Sequence, residues 1–183
     1  MADTSWTDDR ARLDSNDLVN FRENISYVDV LKAADAAHFG SLGLYNEVAR
    51  GKIEGYEAFG RKSNRVISDF DNFFRTLHRS IERSGHESKN LEEARRSLFE
   101  ITNRLERMKD YKLQTKAGTY TFVQELKYVH KDMQILRESL DDEKHVPKKM
   151  IVGVDKVFNS LLNFSELLMR FTSAKAKPSH SSE

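Results

Sequence analysis

The sequence predicts an all-α fold, an antiparallel bundle of four or five helices with coiled-coil-like packing and flexible termini. Three observations predict it. Apolar residues recur in steps of three and four along most of the chain, which places them on one stripe of a helix. Only two prolines occur, Pro147 and Pro178, both late, so the commonest helix breaker is missing from residues 1–146. Charged residues make up 32% of the chain, above the usual quarter, and they fall off the apolar stripes, as on exposed faces of amphipathic helices.

The longest pattern runs from Leu91 to Leu140. Leu91, Ala94, Leu98, Ile101, Leu105 and Met108 form one run, and Phe122, Leu126, Val129, Met133, Leu136 and Leu140 a second. Met108 and Phe122 are fourteen residues apart, so both runs share a heptad register. Between them the register positions Lys112, Thr115 and Thr119 are polar. One helix of about 50 residues, roughly 75 Å long, would satisfy this register. A hairpin satisfies it too and is the favoured reading. Lys116-Ala117-Gly118 reads as a helix end, and Thr121-Phe122-Val123-Gln124 as a capping box that opens the next helix. A stripe of this length must be covered by other helices or by another copy of the chain. Leu98, Ile101, Leu105, Met108, Phe122, Leu126, Val129, Met133 and Leu136 are therefore the candidate interface.

From the N-terminus, residues 1–14 read as a polar arm. Trp6 within it is either a tail residue resting on the surface or an anchor on a neighbouring subunit. Residues 15–173 form one helical domain, and 174–183 a disordered tail. Ser15 suits the cap of a short helix bearing Leu18, Phe21 and Ile25. Ser26-Tyr27-Val28-Asp29 resembles a capping box that opens an alanine-rich helix through Ala37. Gly40, Gly43, Gly51, Gly55 and Gly60 then crowd together. They predict either two short helices with a turn near Gly40–Gly43 or one helix with thin spots, and Gly51 and Gly55 would admit a close neighbour. They lack the context of a phosphate loop.

Tyr56, Phe59, Ser63, Val66, Phe70, Phe73 and Leu77 form the next stripe, with Phe74 widening it into an aromatic core. Ser84–Ser88, with Gly85, ends that helix, and Asn90 with Glu93 caps the next. Asp141-Asp142-Glu143 marks an exposed exit, and Pro147 suits the first turn of the last helix, about Lys148 to Ser173. That helix is the most apolar. Met150, Val154, Val157, Leu161, Phe164, Leu168 and Phe171 make its stripe, so it should sit centrally or be half-covered by a partner.

Little in the sequence points to chemistry. Six histidines are scattered, with no histidine–glutamate pairing of a helical zinc site or a di-iron bundle. No nucleophile–base constellation, calcium loop or dinucleotide fingerprint can be assigned. No catalytic, cofactor-binding or metal-ligating residues are therefore proposed, and no cofactor. Cysteine is absent, which removes disulfides and thiolate sites. The acidic, polar start is no signal peptide, and no apolar run reaches 18 residues, so an intracellular and most simply cytoplasmic protein is expected.

The expected function is non-catalytic: a helical assembly or adaptor protein that binds other proteins, itself included. The alternative is a helical protein that binds nucleic acid or anionic lipid through arginine rows. Arg75, Arg79 and Arg83 stand four apart on one helix, and Arg104 and Arg107 approach the hairpin tip. Such rows grip phosphates. A net charge of only +1 favours the reading of a solvated, balanced face.

Overall fold

The computed structural model describes residues 25–109 and 116–176. Among these residues there are five helices and no strand: α1 (Val28–Ala49), α2 (Gly55–Ser84), α3 (Lys89–Lys109), α4 (Lys116–Asp141) and α5 (Lys148–Ala176). Each helix packs on the next in sequence, and α5 packs on α1, which closes the bundle into a ring. Consecutive helices run antiparallel. The closing pair does not: Leu31 meets Gly153, Asp35 meets Lys156, His38 meets Ser160 and Tyr45 meets Arg170. Both sets of numbers rise together, so α1 and α5 are parallel within the expected bundle of antiparallel neighbours. Five alternating helices in a ring leave one neighbouring pair parallel by necessity.

The stripes point inward. Phe59, Phe70, Phe73 and Phe74 of α2 are fully buried, with the α5 stripe from Met150 to Phe171 beside them. The ring of Phe164 meets Phe70 of α2 at 6.0 Å and Phe122 of α4 at 6.3 Å. Phe171 stacks on Phe59 at 3.9 Å, with Tyr56 against its edge. Thus α5 carries the hub of the core while its flanks lie against α1 and α4. Buried serines bond back to helix carbonyls, as Ser139 does to Ile135 O and Ser165 to Leu161 O. Ser63, by contrast, has a fully buried hydroxyl with no hydrogen-bond partner among the described residues.

Several boundaries differ from expectation. The chain does form the hairpin of α3 and α4, but α4 begins at Lys116, so Gly118 and Thr121 lie inside it. The Thr121 hydroxyl donates to Ala117 O rather than capping. Thr119 is fully buried, so burial resumes before the local turn signals and overrides them. Likewise α1 starts after Tyr27 without a side-chain cap. Helix α3 is capped not by Asn90 but by Ser88, whose Oγ accepts the Leu91 N–H at 3.0 Å and donates to buried Glu143 at 2.5 Å. That bond ties the α2–α3 turn to the α4–α5 turn, where His86 and His145 stack face to face at 3.8 Å. The backbone N–H of buried Ile25 donates to His145 O at the same end.

The glycines also sort differently. Helix α1 runs unbroken through Gly40 and Gly43. Gly40 is the thin spot, since a Cβ there would lie 2.6 Å from Asp69 Oδ2 of α2. Burial raises the Asp69 pKa, partly offset by Arg65. Gly51 and Gly55 admit no neighbour and instead take left-handed conformations in the α1–α2 turn, as Gly85 does at the end of α2. The expected arm at 1–14 and the short helix bearing Leu18 and Phe21 lie outside the described residues. Of the tail expected at 174–183, residues 174–176 belong to α5 and the rest lies outside the described residues. No helix among the described residues is long and apolar enough to cross a membrane.

Two substitutions probe this core in opposite directions. Phe164→Ala should lower the unfolding free energy by about 3–5 kcal/mol through the cavity it leaves. Ser63→Ala should raise it by about 1 kcal/mol, because a buried, unbonded hydroxyl is removed at little cost in volume. Urea denaturation of both variants measures the two shifts.

Candidate binding surfaces

The expected apolar interface is the core of the chain itself. Leu98, Ile101, Leu105, Met108, Phe122, Leu126, Val129, Met133 and Leu136 are all buried, none more than 1% exposed. The stripe is consumed by packing α3 on α4 and both on the rest of the ring. None of these nine side chains is left over for a second copy.

The arginine row divides. Arg75 Nε donates to Asp71 Oδ2 at 2.9 Å, and its NH2 lies 3.5 Å from Glu106. Lys109 closes the same cluster, 3.1 Å from both acids. The bond to Asp71 holds the Arg75 pKa above its ordinary value. Burial opposes the Lys109 charge, but its bonds to Asp71 and Glu106 outweigh burial and raise its pKa. This quartet clamps α2 to α3, so Arg75 is committed. Arg104 is committed too: it bonds Glu125 at 3.2 Å and Asp132 at 3.3 Å and lies over the Tyr128 ring at 4.7 Å. Burial raises the Asp132 pKa, and Arg104 pulls it back. Arg107 is exposed, without an ion pair among the described residues. Arg79 and Arg83 remain exposed, turned to solvent beside Lys32 of α1.

His38, His78 and His130 each lie against a neighbour within the bundle. His38 Nδ1 lies 3.0 Å from Ser160 Oγ. Ser160 donates its own proton to Lys156 O at 2.9 Å, so Nδ1 carries the hydrogen that joins the pair. Activating a serine requires the reverse polarity. His78 lies 3.6 Å from Glu82. His130, between α4 and α5, sits at 5.9 Å across the edge of Phe158. Burial lowers its pKa, against a smaller opposing effect of the Leu161 backbone. Among the described residues no three His, Asp or Glu side chains converge as a metal site requires.

What the one-dimensional pattern did not disclose is the α1–α5 seam. Two adjoining hollows lie along it and share Tyr45 and Leu167. One, about 220 Å³, is lined by His38, Leu42, Ser160 and Phe164, and the other, about 280 Å³, by Val48, Ile53 and Phe171. Leu42 stands on the rim at 44% exposed, while Phe39, one turn back and 63% exposed, borders the α1–α2 side. Both residues lie off the buried stripe of α1, which holds Val30, Ala33, Ala34, Ala37, Ser41 and Leu44. Large apolar side chains off a stripe were the available signal, and the crowding of glycines obscured it.

No family model, no curated protein and no solved structure matches the chain. Geometry and chemistry alone carry the functional reading.

The lowered pKa of His130 gives a pH test of this packing. As pH falls below the ordinary imidazole value of 6.5, the unfolded chain takes up the proton before the folded chain does. Stability therefore drops through that range and levels off only below the folded pKa. His130→Leu should lose less stability between pH 7.5 and pH 5.5 than the parent does, as read from urea midpoints at the two pH values.

Proposed function

We propose that this chain is a non-catalytic helical assembly protein that associates with a second copy of itself across the α1–α5 seam. The observation that carries the reading is the pairing of knob and hollow on one face. Leu42 projects next to hollows floored by Leu167 and Phe171. In a two-fold contact each patch meets its own image, so the knob of one copy enters the hollow of the other and the reverse holds at once.

Lining and charge support this occupant. The hollows are lined mainly by apolar side chains, and the knob beside them is apolar too, so a leucine from a second copy suits them. The charges on the rim are already paired within the chain, Asp35 with Lys156 at 2.8 Å and Glu166 with Arg170 at 2.6 Å. A face of balanced charge can meet its own copy without repulsion. The mechanism differs from burial of the α3–α4 stripe, because that stripe is spent on the fold.

Light scattering coupled to size-exclusion chromatography, at low and high salt, tests the reading. The parent chain should elute as a dimer whose stability does not fall with salt, as apolar contact requires. Leu42→Lys should shift it to monomer with unchanged helicity. Burying a leucine contributes about 1.5–3 kcal/mol and the contact occurs twice, so the dissociation constant should rise about a hundredfold or more. A parent chain that stays monomeric at high concentration would refute the proposal.

A further inference from the structure

A second surface lies on the other flank of α1, independent of the seam. Between α1 and α2 runs an open polar groove of about 460 Å³. Its basic side chains are Lys32 from the first turns of α1 and Arg79 and Arg83 from α2, with Asn72 and Ser80 beside them. One acid, Asp29, lies at its edge, and it forms no ion pair with the three cations. Most of the row's other neighbouring acids are engaged elsewhere: Asp71 and Glu106 hold Arg75 and Lys109, and Glu82 holds Arg95 at 2.7 Å. The Arg79 guanidinium is steadied from below, its NH2 3.3 Å from Thr76 Oγ1 and its Nε 3.4 Å from Arg75 O.

We infer that this groove is a binding site for a ligand bearing two phosphate groups. Arg79 and Arg83 are successive stations on one face of α2, about 6 Å apart along its axis, and each can take one phosphate by the forked hydrogen bonding that guanidinium offers. Lys32 faces them from α1 as a third, mobile charge. The nearby N-terminus of α1 adds the positive end of its dipole. The ionic balance fits: three cations stand against one carboxylate at the rim. The groove is too small for an extended nucleic-acid track, which rests on some 6–10 phosphate contacts, and the loss of Arg75 and Arg104 to internal acids leaves no row along which a strand could run.

The same chemistry is offered by a soluble diphosphate and by a bisphosphorylated lipid headgroup, and the experiment separates them. Isothermal titration with inorganic pyrophosphate, at low and moderate salt, reads the soluble arm. Flotation with phosphatidylcholine vesicles, with and without a phosphatidylinositol bisphosphate, reads the lipid arm. In either arm Arg79→Gln and Arg83→Gln should each weaken binding at least tenfold. Arg75→Gln removes the same charge, yet it should change binding less than twofold, because that arginine is already held by Asp71 and Glu106. All of these positions are exposed, and circular dichroism melts of the variants confirm that the fold persists. Binding in the pyrophosphate arm assigns a soluble ligand, and binding only to bisphosphate vesicles assigns the headgroup. Absence of binding in both arms overturns the site. So does an equal loss in all three variants, which would mark a diffuse response to net charge.

Discussion

The closure of the ring by α1 against α5 is the constraint on which the rest of the structure depends. Five alternating helices cannot close without one parallel pair, and the first and last helices form it. Close approach there rests on small residues. Ala34 is buried on α1, and Gly153 of α5 would place a Cβ only 3.1 Å from Leu31 and 3.7 Å from Ala34. Beyond Ser41 the seam is built from larger side chains, Tyr45, Val48, Leu167 and Phe171, and the hollows lie there. Tight packing at one end and shallow openings at the other thus follow from one change in side-chain size along the same pair.

The ring also explains why the longest apolar pattern in the chain is not a docking surface. A helix in a closed ring has two neighbours and an inward face, so a stripe about three positions wide per heptad is covered on folding. The α3 and α4 stripes meet that demand within one molecule. What remains exposed among the described residues are apolar residues off the stripes, Phe99, Tyr120 and Val152 on other helices included, and of these Leu42 is the one that borders the seam hollows.

Electrostatics divides the surface in a similar way. Ion pairs at Arg75 and Arg104 join neighbouring helices and are partly shielded, with the Asp71 side chain only 7% exposed. Such pairs fix register more than they add net stability. They also engage two arginines of the expected phosphate-binding rows with acids of the same chain. Three of the cations without an acid, Lys32, Arg79 and Arg83, are gathered at one groove, and a near-neutral chain thereby holds a locally positive site.

The sequence by itself determined the helical class and the inward stripes of α2 to α5, and it favoured the hairpin of α3 and α4 over one long helix. On α1 it pointed to Val28, which is exposed, and missed Val30, Ser41 and Leu44, which are buried. Heptad spacing is a local property, and burial enforces it whatever the partner. It did not determine helix ends. Thr121 and Asn90 looked like caps but were overruled, because burial of Thr119 and the bond of Ser88 to Glu143 depend on distant residues. Nor did it determine which face was left over. Whether Leu98 meets another subunit or α4, and whether Arg75 meets solvent or Asp71 and Glu106, follows from how the ring closes. Only the tertiary structure sets that closure, since it brings together helices more than a hundred residues apart and sorts their side chains into those already satisfied and those still available.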